Sequence, residues 1–178
     1  MAALFLVEEI EGGYFDKLRA MPIPRYSLVL GRLCSEAVKG IVISTLIVIV
    51  ALPFGITINS GPLGFVLLIA LSALWGVVYA GFMQLIALKT RSAAATNSGG
   101  LIFFPLLFLT PNFVPREMLA APMEVAATIN PVTYLMEALR SLILDDLDWG
   151  TVSLGFAVVG GLGAVMLALT VRMIRSYD

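Results

Sequence analysis

The chain has 178 residues, of which 60% are hydrophobic and 13% charged, and its mean hydropathy is +0.99. Globular domains carry nearer ~25% charge, so this composition belongs to the membrane class, and the length suits one membrane domain. The net charge of −1 offers nothing to nucleic acid. A single cysteine, Cys34, excludes an intrachain disulfide and a multi-cysteine metal site. The absence of histidine removes Ser-His and Cys-His catalysis, His-ligated zinc and the imidazole proton relay.

Residues 1–7 are apolar but too short for the hydrophobic region of a signal peptide, and no A-x-A site follows. They read as the tail of a longer hydrophobic segment. Residues 8–25 form the most charged run of the chain. A short helix is expected over residues 9–21, with Tyr14, Phe15 and Leu18 resting on the membrane surface and Glu11, Asp16, Lys17 and Arg19 facing water. Pro22 and Pro24 end it. A second amphipathic stretch, residues 25–39, leads into the bilayer with Arg25, Arg32 and Lys39 on its polar side.

The first span is expected at residues 40–58. It is uncharged and about long enough to cross ~30 Å of hydrocarbon at ~1.5 Å per residue, with a kink at Pro53. Asn59-Ser60-Gly61-Pro62 reads as a tight turn. The second span, residues 63–88, is longer than a crossing needs, and its interior Trp75 and Tyr79 suggest packing against other helices. The third, residues 93–110, opens on AAATNSGG, small residues that permit close backbone approach, so this end is expected inside the bundle. The fourth, residues 152–171, carries Ser153, Ala157 and Gly161 at four-residue spacing. That stripe reads either as static packing or as a moving interface or dimer seam.

Between the third and fourth spans lies residues 111–150. Here Pro115 is expected to start a short helix that Pro122 interrupts. Asn130 is a good N-cap and Pro131 a good first helical residue, so a helix is expected over residues 131–144. Val132, Leu135, Met136, Leu139, Leu142 and Ile143 would share one face, and Glu137 can pair with Arg140. This helix is too short to span and is expected to lie at the interface or to dip in and return. Asp145, Asp146 and Asp148 read as a solvated acidic loop or, with no fixed ligand spacing to support it, a cation site.

Lysine and arginine cluster before the first span, at Lys89 and Arg91, and at Arg172 and Arg175. The turn between spans one and two has none, and residues 111–150 hold only Arg116 and Arg140 against six acidic residues. The positive-inside rule therefore places both ends and the Lys89 junction in the cytoplasm. Residues 40–88, 93–110 and 152–171 contain no Asp, Glu, Lys, Arg or His. Ion-coupled transporters usually keep such groups at mid-membrane. No G-x-x-x-x-G-K-[ST] loop occurs either. If the chain performs work, the energy arrives from another polypeptide at the cytoplasmic face.

One ordered set of short motifs runs through nearly the whole chain. It begins with Glu11-x-Gly13-x-x-Asp16-Lys17-Leu18-Arg19, Met21-Pro22, Arg25 and Gly31-Arg32. Phe113-Val114-Pro115 follows, then Asn130-Pro131-Val132-Thr133-Tyr134 and Glu137-Ala138-Leu139-Arg140. In this order the chain resembles the permease subunit of ABC-2 type exporters, in the daunorubicin/doxorubicin resistance branch. The resemblance implies an all-α, polytopic membrane protein with no enzymatic activity of its own, in the bacterial plasma membrane. It implies a second permease copy, in a homo- or heterodimer, and separate ATP-binding subunits that carry ATP and Mg, while this chain binds no cofactor or metal. By resemblance, Glu11, Gly13, Asp16, Lys17 and Arg19 belong to a coupling helix resting on the ATPase. Pro115, Asn130, Pro131, Tyr134, Glu137 and Arg140 belong to an outer re-entrant hairpin.

Family members have six membrane helices, and here four are expected, with the first and most of the second absent and residues 1–7 as a stub. Exported cargoes in the family are drugs, lipids, glycolipids or polysaccharide precursors. The span composition, with scattered Ser, Thr, Gln84 and Asn97, suits an amphipathic or lipid-like cargo. Two other readings stay open: a membrane scaffold that moves nothing, and an inactive truncated permease. An intramembrane hydrolase is disfavoured by the missing histidine and by Lys39 and Lys89 lying at span edges.

Overall fold

The computed structural model describes residues 25–111, 121–144 and 147–175, and every regular element among them is helical. In chain order these are α1 (Arg25–Ala51), a 3₁₀ turn (Leu52–Phe54), α2 (Gly61–Thr90), α3 (Ala93–Gly100), α4 (Phe103–Phe108), α5 (Ala121–Ile129), α6 (Pro131–Ile143) and α7 (Trp149–Arg175). Among the described residues three segments are long and apolar enough to cross a membrane: Leu30–Phe54, Gly61–Thr90 and Trp149–Met173.

Eight of the ten residues from Ile41 to Val50 are β-branched, a run that favours strand in water. It is helical here, as hydrocarbon requires, because only a helix satisfies every backbone group within one segment. The amphipathic stretch at residues 25–39 and the first span are one continuous helix. Pro53 does not kink the span. The α-helix ends at Ala51, and Gly55, at φ 84°, donates its N–H to Leu52 O at 3.0 Å and closes the 3₁₀ turn in the left-handed region that glycine tolerates best.

The central helix is α2, apolar on all sides, as a helix buried in a bundle must be. It contributes to three core clusters stacked along the bundle. Leu33, Ala80, Ala87 and Leu88 pack at one end, with Leu167 and Met173 against them. Leu71, Val78, Leu135, Ala138 and Val159 form the middle. Leu68, Leu142 and Val152 close the other end. So α1 and α7 both run antiparallel to α2, and Lys89 shares one end of the bundle with Arg172. Two hydroxyls within the spans bond back one turn, Ser44 Oγ to Gly40 O at 2.7 Å and Thr170 Oγ1 to Met166 O at 2.8 Å, so neither is left as an unmet donor.

Arg91 and Ser92 alone connect α2 to α3. Arg91 adopts φ 49° and donates to Ala87 O, and Ser92 Oγ caps α3 by accepting from Ala95 N at 3.3 Å. The expected third span is two short helices, broken after Gly99-Gly100, with Pro105 in the first turn of α4. From Ala93 to Phe108 the rise is only ~24 Å at ~1.5 Å per residue. One face of its small-residue start is buried. Thr96 is inaccessible and Gly99 lies against Ile86, while Ala94, Asn97 and Ser98 are exposed.

The helices α6 and α7 meet closely at Gly155, where an added Cβ would lie 2.5 Å from Ala138 Cβ and 3.0 Å from Tyr134 O. The stripe Ser153, Ala157 and Gly161 faces the other way and is exposed, so it does not pack against the described residues. We therefore expect Gly155→Leu to destabilise the fold by about 1–3 kcal/mol through overpacking. Gly161→Leu, at a site with nothing within 4 Å, should leave the thermal midpoint of the detergent-solubilised chain unchanged.

Candidate functional site

A group of hydrogen-bonded polar residues gathers around α6, which packs against α2 and α7 and is tied to the end of α4. Asn130 caps α6 as its sequence position predicts: Oδ1 accepts from Val132 N at 3.0 Å, and Pro131 occupies the first turn. The same side chain reaches across to α4, where Nδ2 donates to Leu106 O at 2.6 Å and to Thr110 Oγ1 at 2.9 Å. Asn130 is 4% exposed and Thr110 5%, so these bonds are made out of water, where an unmet partner is costly. Arg140 Nη2 donates to Pro111 O at 3.1 Å, a second tie between α6 and the end of α4. Tyr134 OH donates to Thr128 O at 2.8 Å and holds α5 against α6.

The far end of α6 is closed by residues that sequence reading assigned only to a turn. Asn59 Nδ2 donates to Leu144 O at 2.7 Å, Asn59 N to Ile143 O at 3.3 Å, and Ser60 Oγ to Leu142 O at 2.7 Å. Helix C-termini leave four carbonyls without partners, and here the turn before α2 supplies donors for three consecutive ones. The only sequence signal for this role is that Asn59 and Ser60 are turn residues able to donate. Their partners lie more than eighty positions away.

Asp148 caps α7. Oδ1 accepts from Gly150 N at 2.9 Å, and Oδ2 accepts from Thr151 Oγ1 at 2.6 Å and Thr151 N at 3.2 Å, while Asp148 N donates to Ser141 Oγ at 3.1 Å. The Thr151 hydroxyl first, then the backbone N–H groups of Gly150 and Thr151, hold its carboxyl below the ordinary 3.8. Asp148 is thus engaged as a cap. Among the described residues no group of three His, Cys, Asp or Glu could hold a metal ion. Asp145 and Asp146 lie outside the described residues.

Beneath α6 sits an aromatic cluster centred on Phe103 of α4. Tyr79, Phe82 and Trp75 present their rings to it edge to face, with centroids at 4.8, 5.3 and 5.9 Å. Beside it, Trp75, Tyr79, Phe103, Phe104, Leu107 and Val132 line a cavity of about 260 Å³. The expectation that Trp75 and Tyr79 pack against another helix is met, and their partner is Phe103. The site holds no nucleophile–base pair. It can cradle an apolar or aromatic group.

Of the residues expected in an outer hairpin, Asn130, Pro131, Tyr134 and Arg140 gather at α6 with Glu137, which is partly buried on the same helix. Pro115 lies outside the described residues. Pro122 falls in the first turn of α5, and the residues before Ala121 that it was expected to interrupt lie outside the described residues. Glu11, Gly13, Asp16, Lys17 and Arg19 lie outside the described residues as well.

Two substitutions test the polar ties. Asn130→Ala should cost about 1–3 kcal/mol in chemical denaturation of the solubilised chain, and Asn130→Ser, which restores the cap acceptor but falls short of Leu106, should recover only part. Because the folded pKa of Asp148 is depressed, its stabilising contribution is full above the unfolded value and vanishes as pH falls through the lowered one. The gap in thermal midpoint between wild type and Asp148→Ala should stay constant above about pH 5 and close below about pH 4.

Comparison with known proteins places this architecture. Residues 1–144 match the ABC-2 type transporter family. The chain is 25% identical over 171 residues to the daunorubicin resistance ABC transporter permease protein of Streptomyces coeruleorubidus, covering 96% of this chain and 60% of that one. It therefore spans about three fifths of the length of the curated relative it matches. No solved structure matches the chain. A match to the family across most of the sequence, on a bundle of apolar membrane-length helices, makes this chain a member of the ABC-2 type transporter family.

Proposed function

We propose that the chain is the membrane-embedded permease part of an ATP-driven exporter, powered by a separate ATP-binding subunit. The observation that carries this reading is the family match over residues 1–144. It extends from the charged run at residues 8–25 through α6. Two features of the sequence support it. The spans contain no ionisable group with which to couple an ion gradient, and the chain has no phosphate-binding loop of its own. Work must then enter mechanically, and Glu11, Gly13, Asp16, Lys17 and Arg19 form the cytoplasmic element on which the ATPase rests.

In this reading α3 and α4 together make a fourth, broken crossing, and α5 with α6 forms the re-entrant hairpin on the outer side. Lys89 and Arg172 then face the cytoplasm, as the positive-inside rule requires. A second permease copy completes the pathway. The exposed stripe Ser153, Ala157 and Gly161 and the exposed apolar face of α1 offer surfaces for it. The relative confers daunorubicin resistance by its name. For this chain we infer a hydrophobic or amphipathic cargo, a drug, lipid or glycolipid, consistent with the aromatic cavity beneath α6.

The test is charge reversal in the coupling element. Glu11→Lys with Asp16→Lys should abolish co-purification with the ATP-binding subunit and lower export at least tenfold, with the chain still inserted in the membrane. Unchanged co-purification together with unchanged export would sink the proposal and leave a non-transporting scaffold as the better reading.

A further inference from the structure

At the end of the bundle that holds their basic residues, α2 and α7 line a cavity of about 340 Å³, with Leu85, Ile86 and Lys89 from α2 and Leu169, Arg172 and Met173 from α7. Among the described residues the walls are four apolar side chains, and the charged groups are two cations, both exposed. No described carboxylate neutralises them. Glu36 is bound to Lys39 at 2.6 Å, and Glu124, Glu137 and Asp148 belong to α5, to α6 and to the start of α7, toward the opposite end.

We propose that this cavity is a binding site for an anionic phospholipid, with an acyl chain between Leu85, Ile86, Leu169 and Met173 and the phosphate between Lys89 and Arg172. The chemistry selects this occupant over the alternatives. An apolar helix from a second copy would cover two cations with no counter-charge, which is unfavourable once water is excluded. A zwitterionic lipid offers the same chains, but its headgroup amine cancels the attraction. A soluble anion would leave the apolar walls wet. Basic pockets between membrane helices are a recurrent setting for anionic headgroups, and the volume lies at the lower end of small-ligand sites, about 300–1,000 Å³. The inference needs only that the chain is embedded in a bilayer and does not depend on transport.

The experiment is native mass spectrometry of the full chain in detergent doped with equal amounts of phosphatidylglycerol and phosphatidylcholine of matched acyl chains. Wild type should retain one phosphatidylglycerol with a preference of about ten- to thirtyfold, on the scale that two interfacial cations supply. Lys89→Gln with Arg172→Gln should reduce the preference to near unity. The charge-conserving pair Lys89→Arg and Arg172→Lys should keep it, which guards against simple misfolding. Lys39→Gln, removing a cation outside the cavity, should leave it intact, and Leu169→Trp, which fills the slot without touching charge, should weaken retention of phosphatidylglycerol. Equal retention of the two lipids by wild type, an equal loss in Lys39→Gln, or a lipid-free dimer would each overturn the site.

Discussion

A helix of thirteen residues placed among membrane-length helices has a problem that its neighbours avoid. Helix ends leave four N–H groups and four carbonyls without intrahelical partners, and the start of α6 at Asn130 is buried away from water. α6 survives there because other elements supply what it lacks. Asn130 caps the start and at the same time donates to α4, while Asn59 and Ser60 donate to the carbonyls at its end. These few bonds fix α6 between α2, α4 and α7. The aromatic cavity, the seat of Arg140 on Pro111 and the start of α7 all depend on that placement.

The rest of the bundle is held by close packing and not by charge. Gly155 lets α7 approach α6, and Gly40 lies where an added Cβ would meet Ala73 Cα of α2 at 2.9 Å. Helices in lipid gain nothing from hiding apolar side chains that lipid would solvate equally well, so backbone proximity at small residues does more of the holding. One end of the bundle carries Lys89 and Arg172, and the other carries the hydrogen-bonded network around α6. Glu36 and Lys39 of α1, next to Gly40 and its contact with Ala73, neutralise each other in an ion pair.

Much of the site was legible because local rules decide it. Asn-Pro before an amphipathic run predicts a capped helix, and α6 begins at Pro131 with Val132, Leu135 and Leu142 buried as their spacing requires. Trp75 and Tyr79, interior to a span, had to meet another helix. Other features were not legible, for stated reasons. Pro53 was expected to kink the first span, yet it sits in a 3₁₀ turn after α1 has ended. Proline announces a boundary without saying on which side of it the helix lies. The donors Asn59 and Ser60 were invisible because their partners are distant in sequence.

The sequence alone determined that this is a helical membrane protein with uncharged spans and with a capped short helix between its last spans. Those conclusions rest on composition and on interactions within a few residues, which the chain writes out in order. Only the tertiary structure decided that Asn130 ties α6 to α4, that Phe103 gathers three rings, and that Lys89 and Arg172 flank one apolar cavity. Each of these joins residues from different helices, and the helix register and crossing that bring them together are set by packing, which no local pattern encodes.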